Sequence, residues 1–238
     1  RLLTLKPYKV ASHKIWSVPA GERDRILKLD WNEATVPPSP KVREAMQELM
    51  EEEDFFHLYP STFNDDLMKA LAIYTGMPEE NLQYFGSSDA LHEYIARAYL
   101  GEDRKVLVLW PSYDNFRLTA ESSGAKLCYS EMSGDFEFSL PRLTEDLSRE
   151  KPAMAYICNP NNPTGTSLHK EDLEGIYELA EKYDLLIYAD EIYTAYSYEV
   201  PFTSMLTIPG AAKRTIVLNS LSKNFVSTGA RLGWVIAP

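Results

Sequence analysis

Short apolar runs alternate with amphipathic helical patterns along this chain, and that alternation limits its fold more than any other feature. Strand-like runs recur near residues 82–85, 106–109, 126–129, 153–157, 185–189, 215–218 and 233–237. Helical patterns intervene at 89–100, 113–123 and 170–183. Two more precede the first strand. In the one from Pro40 to Glu53, Val42, Ala45, Met46 and Leu49 share a face; the other, Asn64 to Tyr74, opens on Asn64-Asp65-Asp66 as cap and first-turn acids. Alternation of this kind predicts an α/β domain, a mostly parallel seven-stranded sheet flanked by helices. Ligands bind such sheets beyond the carboxyl ends of the strands. Gly86, the Asn159–Gly165 stretch, Asp190 and Ser220 are therefore expected to gather at one edge. Of the 238 residues, 45% are hydrophobic, ample for one large core. Residues 1–36 are polar and irregular and read as an N-terminal arm, with the domain proper at 37–238.

Reactive side chains concentrate where these strands open into loops. Ser220-Leu221-Ser222-Lys223 follows the apolar run Thr215-Ile216-Val217-Leu218. A lysine held in a cleft there is partly desolvated, which lowers its pKa and makes it a nucleophilic amine. Ser220 can hydrogen-bond an anion, and Arg231 can grip one with a bidentate, charge-assisted fork. An amine beside a phosphate cradle is what pyridoxal 5′-phosphate (PLP) requires, because its aldehyde forms a Schiff base with lysine. Asp190 ends a second apolar run, where it could pair with a pyridine nitrogen and keep it protonated. The plainer alternative for Asp190 is a helix N-cap. Gly86-Ser87-Ser88-Asp89 opens the helical pattern Leu91, Ile95, Ala98, Tyr99. Free N–H groups and hydroxyls at a helix start make an anion site, although Ser and Asp also cap helices that bind nothing. Asn159-Pro160-Asn161-Asn162-Pro163-Thr164-Gly165, on its own, is a turn rich in Asn, Pro and Gly.

Taken in order, six motifs resemble those of the fold-type I PLP enzymes. They are Gly86-Ser87-Ser88-Asp89, Pro111-Ser112-Tyr113, Asn162-Pro163-Thr164-Gly165, Asp190-Glu191-Ile192-Tyr193, Ser220-Leu221-Ser222-Lys223 and Arg231. More narrowly, the chain is similar to class I/II aminotransferases, closest to the histidinol-phosphate aminotransferase branch, from about Leu29 to Pro238. The resemblance implies that 37–238 is a PLP-binding large domain and that Lys223 joins the cofactor and later shuttles a proton. It implies that Asp190 pairs with the pyridinium, that Asn162 and Tyr193 hydrogen-bond the ring oxygen O3′, and that Tyr113 stacks on the ring. Ser87, Ser88, Ser220 and Arg231 would bind the phosphate, joined by Tyr59 from a neighbouring subunit. It also suggests a cis bond at Asn162-Pro163 and, secondarily, at Asn159-Pro160.

A homodimer follows from that role for Tyr59. The stretch Phe55-Phe56-His57-Leu58-Tyr59 is apolar on too many sides for an exposed loop and suits a partner surface. The chain departs from the branch after Asn32-Glu33, which continues as Ala34-Thr35-Val36-Pro37-Pro38, so the resemblance does not carry histidinol phosphate over as substrate. The family normally continues into a small C-terminal domain with an arginine for the substrate carboxylate, so the chain is expected to be a piece of a longer enzyme.

Three activities fit these motifs: amino transfer between an amino acid (or a phosphate derived from one) and a 2-keto acid, decarboxylation of a phosphorylated amino acid, and non-catalytic PLP binding in a regulatory module. Transamination is the leading expectation. A net charge of −11 without a Lys/Arg-rich block argues against nucleic acid. No apolar stretch reaches membrane-spanning length, and two cysteines, Cys128 and Cys158, without metal spacing suit a reducing, cytoplasmic setting. His13, His57, His92 and His169 are scattered without metal-ligand spacing, so no metal site is expected. His92 and His169 read as helical surface residues.

Overall fold

The computed structural model describes residues 5–7, 13–61, 63–198 and 200–238. Seven strands form one sheet: β1 (Leu82–Phe85), β2 (Lys105–Trp110), β3 (Lys126–Glu131), β4 (Met154–Cys158), β5 (Leu186–Asp190), β6 (Thr215–Ser220) and β7 (Gly233–Ile236). Their order is β1-β7-β6-β5-β4-β2-β3. β7 runs antiparallel to both neighbours, and every other pairing is parallel. The mostly parallel α/β sheet expected from the sequence is the one observed.

Six α-helices accompany it among the described residues: α1 (Pro40–Met50), α2 (Asp65–Thr75), α3 (Ser88–Tyr99), α4 (Asp114–Ser122), α5 (Leu140–Glu150) and α6 (Lys170–Lys182). Side chains alternate across a strand, so each strand feeds two cores. Leu107, Ile157, Ile187 and Val217 pack with Met68 of α2, Leu143 and Leu147 of α5, and Leu173 and Ile176 of α6. Val106, Val108, Tyr156, Tyr188 and Leu218 face the other way, onto Leu91 and Ile95 of α3 and Phe116 of α4.

Local signals set the helix limits. Asn64 Oδ1 accepts the Leu67 N–H at 2.9 Å, and Gly76 ends α2 at φ 70°, returning its N–H to the Ala72 carbonyl. α5 falls outside the patterns read from the sequence. α1 stops at Met50, short of the expected Glu53, and its Val42, Met46 and Leu49 lie open to solvent. Both X-Pro bonds expected to be cis, Asn162-Pro163 and Asn159-Pro160, are cis, as is Trp110-Pro111.

Candidate active site

The carboxyl ends of β1, β4, β5 and β6 and the loops beyond them assemble the site. Asp190, the last residue of β5, stands in register with Cys158 of β4 and Leu218 of β6 and is almost wholly buried. Its Oδ1 accepts the Ile192 N–H at 3.3 Å, and its Oδ2 accepts the Tyr156 hydroxyl at 2.7 Å. Burial pushes its pKa up to about 6, against those two hydrogen bonds. Among the described residues no lysine or arginine forms an ion pair with it. A dry carboxylate without a cation is suited to receive one. The alternative of a helix N-cap fails, because among the described residues no α-helix lies between Asp190 and β6.

Lys223 lies just past β6. Burial lowers its pKa, the property a nucleophilic amine needs, and its Nζ donates to the carbonyls of Trp31 (3.1 Å) and Asn32 (2.9 Å). Asn32 continues the chain of contacts: its Nδ2 donates to the Tyr193 hydroxyl at 2.9 Å, which also receives Asn162 Nδ2 at 3.3 Å. Burial raises the Tyr193 pKa to about 12, so the phenol keeps its proton. Lys223, Tyr193 and Asn162 thus share one corner, with Asn32 as their link.

The second corner is the start of α3. Ser87 Oγ accepts the Ala90 N–H at 3.1 Å, and Ser88 opens the helix beside it. Ser220 is fully buried at the end of β6, its Oγ accepting the Ser222 N–H at 3.1 Å. Arg231 reaches the same helix start, with Nη2 3.4 Å from Asp89 Oδ2. The Asp89 Oδ1 receives the Tyr113 hydroxyl at 3.0 Å and Asn115 Nδ2 at 2.8 Å, drawing Tyr113 alongside. Gly233 permits this closeness. A Cβ there would fall 2.8 Å from the Ser88 nitrogen, 2.9 Å from the Ser87 carbonyl carbon and 3.2 Å from the Asn219 oxygen, all backbone atoms. Gly233→Ala should therefore displace the start of α3 and weaken PLP binding roughly tenfold, about 1.4 kcal/mol. Unchanged affinity in a fluorescence titration would show that the helix start does not hold the phosphate.

Eight of the ten residues singled out in the sequence fall into these two corners, and Asp190 stands at the end of β5, electrostatically coupled to Tyr193 and Asp89. Tyr59 stands apart, its side chain fully exposed. The sequence reading gave no role to Asn32, Asp89, Tyr156 or Gly233. It also put His92 on a helical surface, and that is corrected here: His92 is 0% exposed, enclosed by Tyr113, Phe116, Tyr156 and Tyr188. His169 is exposed, as expected.

A mostly parallel sheet carrying at its carboxyl edge a desolvated amine, a buried carboxylate without a cation and a serine- and arginine-lined helix start defines an α/β fold suited to a phosphorylated aldehyde cofactor. The comparisons with known proteins agree. The profile of the family "Aminotransferase class I and II" matches residues 24–238, and the chain belongs to that family of PLP enzymes. A dihydroxyacetone phosphate transaminase of Campylobacter jejuni is 31% identical over 234 residues, 98% of this chain and 61% of that protein. A histidinol-phosphate aminotransferase of Methanococcus aeolicus is 29% identical over 216 residues, 90% of this chain and 56% of that protein. The chain thus spans roughly three fifths of the length of these relatives. In fold it is similar to an aromatic aminotransferase from Pyrococcus horikoshii, with a TM-score of 0.80 at 24% identity over 87% of this chain and 58% of the other. The residues present fit PLP: Asp190 for its ring nitrogen, Lys223 for its aldehyde, and the Ser87-Ser88 start of α3 with Ser220 and Arg231 for its phosphate.

Proposed function

We propose that this protein is a PLP-dependent aminotransferase, moving an amino group between an amino acid, or a phosphate ester derived from one, and a 2-keto acid or related carbonyl compound. The observation that carries the reading is the convergence of Lys223, Asn162 and Tyr193 beside the cation-free carboxylate of Asp190. PLP, when bound, supplies an aldehyde for the substrate amine and a ring that takes up the electron pair left when the α-proton departs. Lys223 Nζ takes that proton and returns it. Asp190 holds a proton on the ring nitrogen. Asn162 and Tyr193 orient the ring through O3′, and Tyr113 covers its face. Ser87, Ser88, Ser220 and Arg231 bind the phosphate dianion.

Both relatives described above have phosphate esters in their names, and we assign the substrate to the same class, a small phosphorylated amine or carbonyl compound. The two free, buried cysteines suit a reducing compartment, so a cytoplasmic location is part of the proposal. Among the described residues no helix is long and apolar enough to cross a membrane. Residues 1–36 serve as an arm and 37–238 as the PLP-binding large domain. Incubating the full-length protein with ¹⁵N-labelled amino donors and paired carbonyl acceptors tests the activity. Label should pass to the carbonyl partner, faster for phosphorylated acceptors. Release of CO₂ without amino transfer, or PLP binding without any product, would contradict the proposal.

The proposal includes a homodimer in which Tyr59 reaches the phosphate of the neighbouring subunit. Its support is the exposed apolar group of Phe55, Phe56, Leu58 and Tyr59, a patch suited to a partner. Sedimentation should report a dimer, and Tyr59→Phe should weaken PLP binding roughly tenfold, the scale of one hydrogen bond to a charged group. A monomer with full PLP affinity would rule this out.

A further inference from the structure

Behind Asp190 lies a buried polar chain that neither the sequence motifs nor the proposed chemistry uses. His92, on α3, is wholly enclosed, with ring centroids of Phe116, Tyr188, Tyr156 and Tyr113 at 5.5, 5.7, 5.9 and 6.0 Å. Its Nδ1 lies 2.9 Å from the Tyr188 hydroxyl. Its Nε2 has no hydrogen-bond partner and lies 3.8 Å from Asp190 Oδ2, the oxygen that already accepts the Tyr156 hydroxyl at 2.7 Å.

Proton counting decides how this chain is wired. Burial lowers the His92 pKa to about 4, so near neutral pH the imidazole is uncharged and carries one N–H. Burial also holds the Tyr188 phenol protonated, well above its usual range. Were the ring N–H on Nδ1, the phenol would accept it, and among the described residues its own proton would have no acceptor. The Nε2 lone pair would then face a carboxylate oxygen. With the phenol donating to Nδ1, the ring N–H sits on Nε2 and faces Asp190. A buried donor without a partner is destabilising, and so is a lone pair against an anion. The second wiring gives the phenol proton an acceptor and turns an N–H, not a lone pair, toward the anion 3.8 Å away. The gap of 3.8 Å exceeds a direct hydrogen bond of about 2.9 Å by less than an ångström.

We infer that Tyr156 and His92 are positioning residues for Asp190: with Tyr188 behind them, they direct an O–H and an N–H at Oδ2 and keep this carboxylate ionised for the cofactor's ring nitrogen. The inference rests on reading Asp190 as the partner of that nitrogen. The other titratable groups around Asp190 all oppose its charge or are neutral. They are Asp89 at the start of α3, Cys158 across the register on β4, the neutral phenol of Tyr193, and Glu191, the next residue, which burial raises to about 7. The anion therefore depends on neutral donors: Tyr156, His92 and the Ile192 N–H. Tyr156 in turn is fixed by Phe116, stacked on it at 4.2 Å, so its hydroxyl has little freedom to turn away.

Two nitrogen NMR measurements on the full-length protein test this. In protein labelled with ¹⁵N-histidine and without added cofactor, His92 should be neutral from pH 6 to 8, with a pyrrole-type Nε2 and a pyridine-type Nδ1. Its signal is identified by loss in His92→Gln, and Tyr188→Phe, which removes a single oxygen, should weaken the preference for Nε2–H. A proton on Nδ1, or a charged imidazole, would overturn the wiring. In protein loaded with PLP labelled at the ring nitrogen, Tyr156→Phe and His92→Gln should each lower the pH at which that nitrogen loses its proton by about one unit, a tenfold change in proton affinity. Asp190→Asn should abolish the ring proton at neutral pH. If Asp190→Asn does so while Tyr156→Phe and His92→Gln both match the wild type, the positioning role is wrong. A wild-type ring spectrum in Asp190→Asn would sink the assignment of Asp190 itself, and this inference with it.

Discussion

Replacing Lys223 by alanine should lower turnover on the order of 10⁶-fold, the scale seen when a side chain that reacts with substrate is removed from a working set. The reason is chemical rather than structural. Lys223 lies on the loop beyond β6, and among the described residues its Nζ hydrogen-bonds only the carbonyls of Trp31 and Asn32, so its loss leaves no core cavity. Ser87, Ser88, Ser220 and Arg231 remain to hold the phosphate. The variant should therefore still bind PLP, without a covalent bond and with affinity reduced far less than turnover. Steady-state assays beside equilibrium dialysis separate the two effects. Substantial turnover in the variant would remove Lys223 from its role, and complete loss of binding would mean that the α3 corner is not the main anchor.

The second large effect is expected at Asp190. Asp190→Asn preserves size, but its single amide oxygen can accept from only one of the two donors, Tyr156 or the Ile192 N–H, and it cannot balance a protonated ring. Turnover should fall on the order of a hundred- to thousandfold, about 3–4 kcal/mol, the range set by other preorganised electrostatic contacts. Binding should weaken too, to about the level the wild type reaches below pH 6, but far less than turnover, since the phosphate corner is untouched. Because the carboxylate pKa is raised to about 6 by burial, the free protein protonates Asp190 as pH falls through that value and loses its charge. PLP binding in the wild type should weaken below about pH 6 for this reason, and Asp190→Asn should not show that step. A wild-type rate in Asp190→Asn would contradict the assignment.

The elements best read from the sequence were those whose pattern is local. β4, β5 and β6 are nearly continuous apolar runs because helices cover both faces of a parallel sheet. α2 announces its limits by Asn64 and Gly76. The direction of β7 was not legible from its own residues. It follows from the connection: Leu221 to Leu232 contains only a short 3-10 turn (Thr228–Ala230) and no α-helix to carry a parallel crossover, so the chain turns back beside β6. α5 was missed because its apolar residues are few, with only Leu143 and Leu147 fully buried between charged neighbours.

Within the site, Lys223, Asp190, Asn162 and the Gly86–Asp89 turn stood out because reactive types follow strands. Asn32 did not, because its contacts span 161 residues to Tyr193 and 191 to Lys223. His92 was misjudged by its polarity. Leu91, His92, Ile95 and Ala96 all fall on the buried stripe of α3, and position rather than residue type decides burial there. Tyr156 gave no signal, since in a strand of the core a tyrosine looks like any other packed aromatic.

The central claim is that Lys223 is the residue to which the cofactor becomes attached. The most direct measurement is borohydride reduction of the full-length protein with PLP present, followed by proteolysis and mass mapping of the modified peptide. A single label should appear, on the peptide carrying Ser220-Leu221-Ser222-Lys223, and it should vanish in Lys223→Ala. A label fixed to any other lysine, with Lys223 unmodified, would contradict the account.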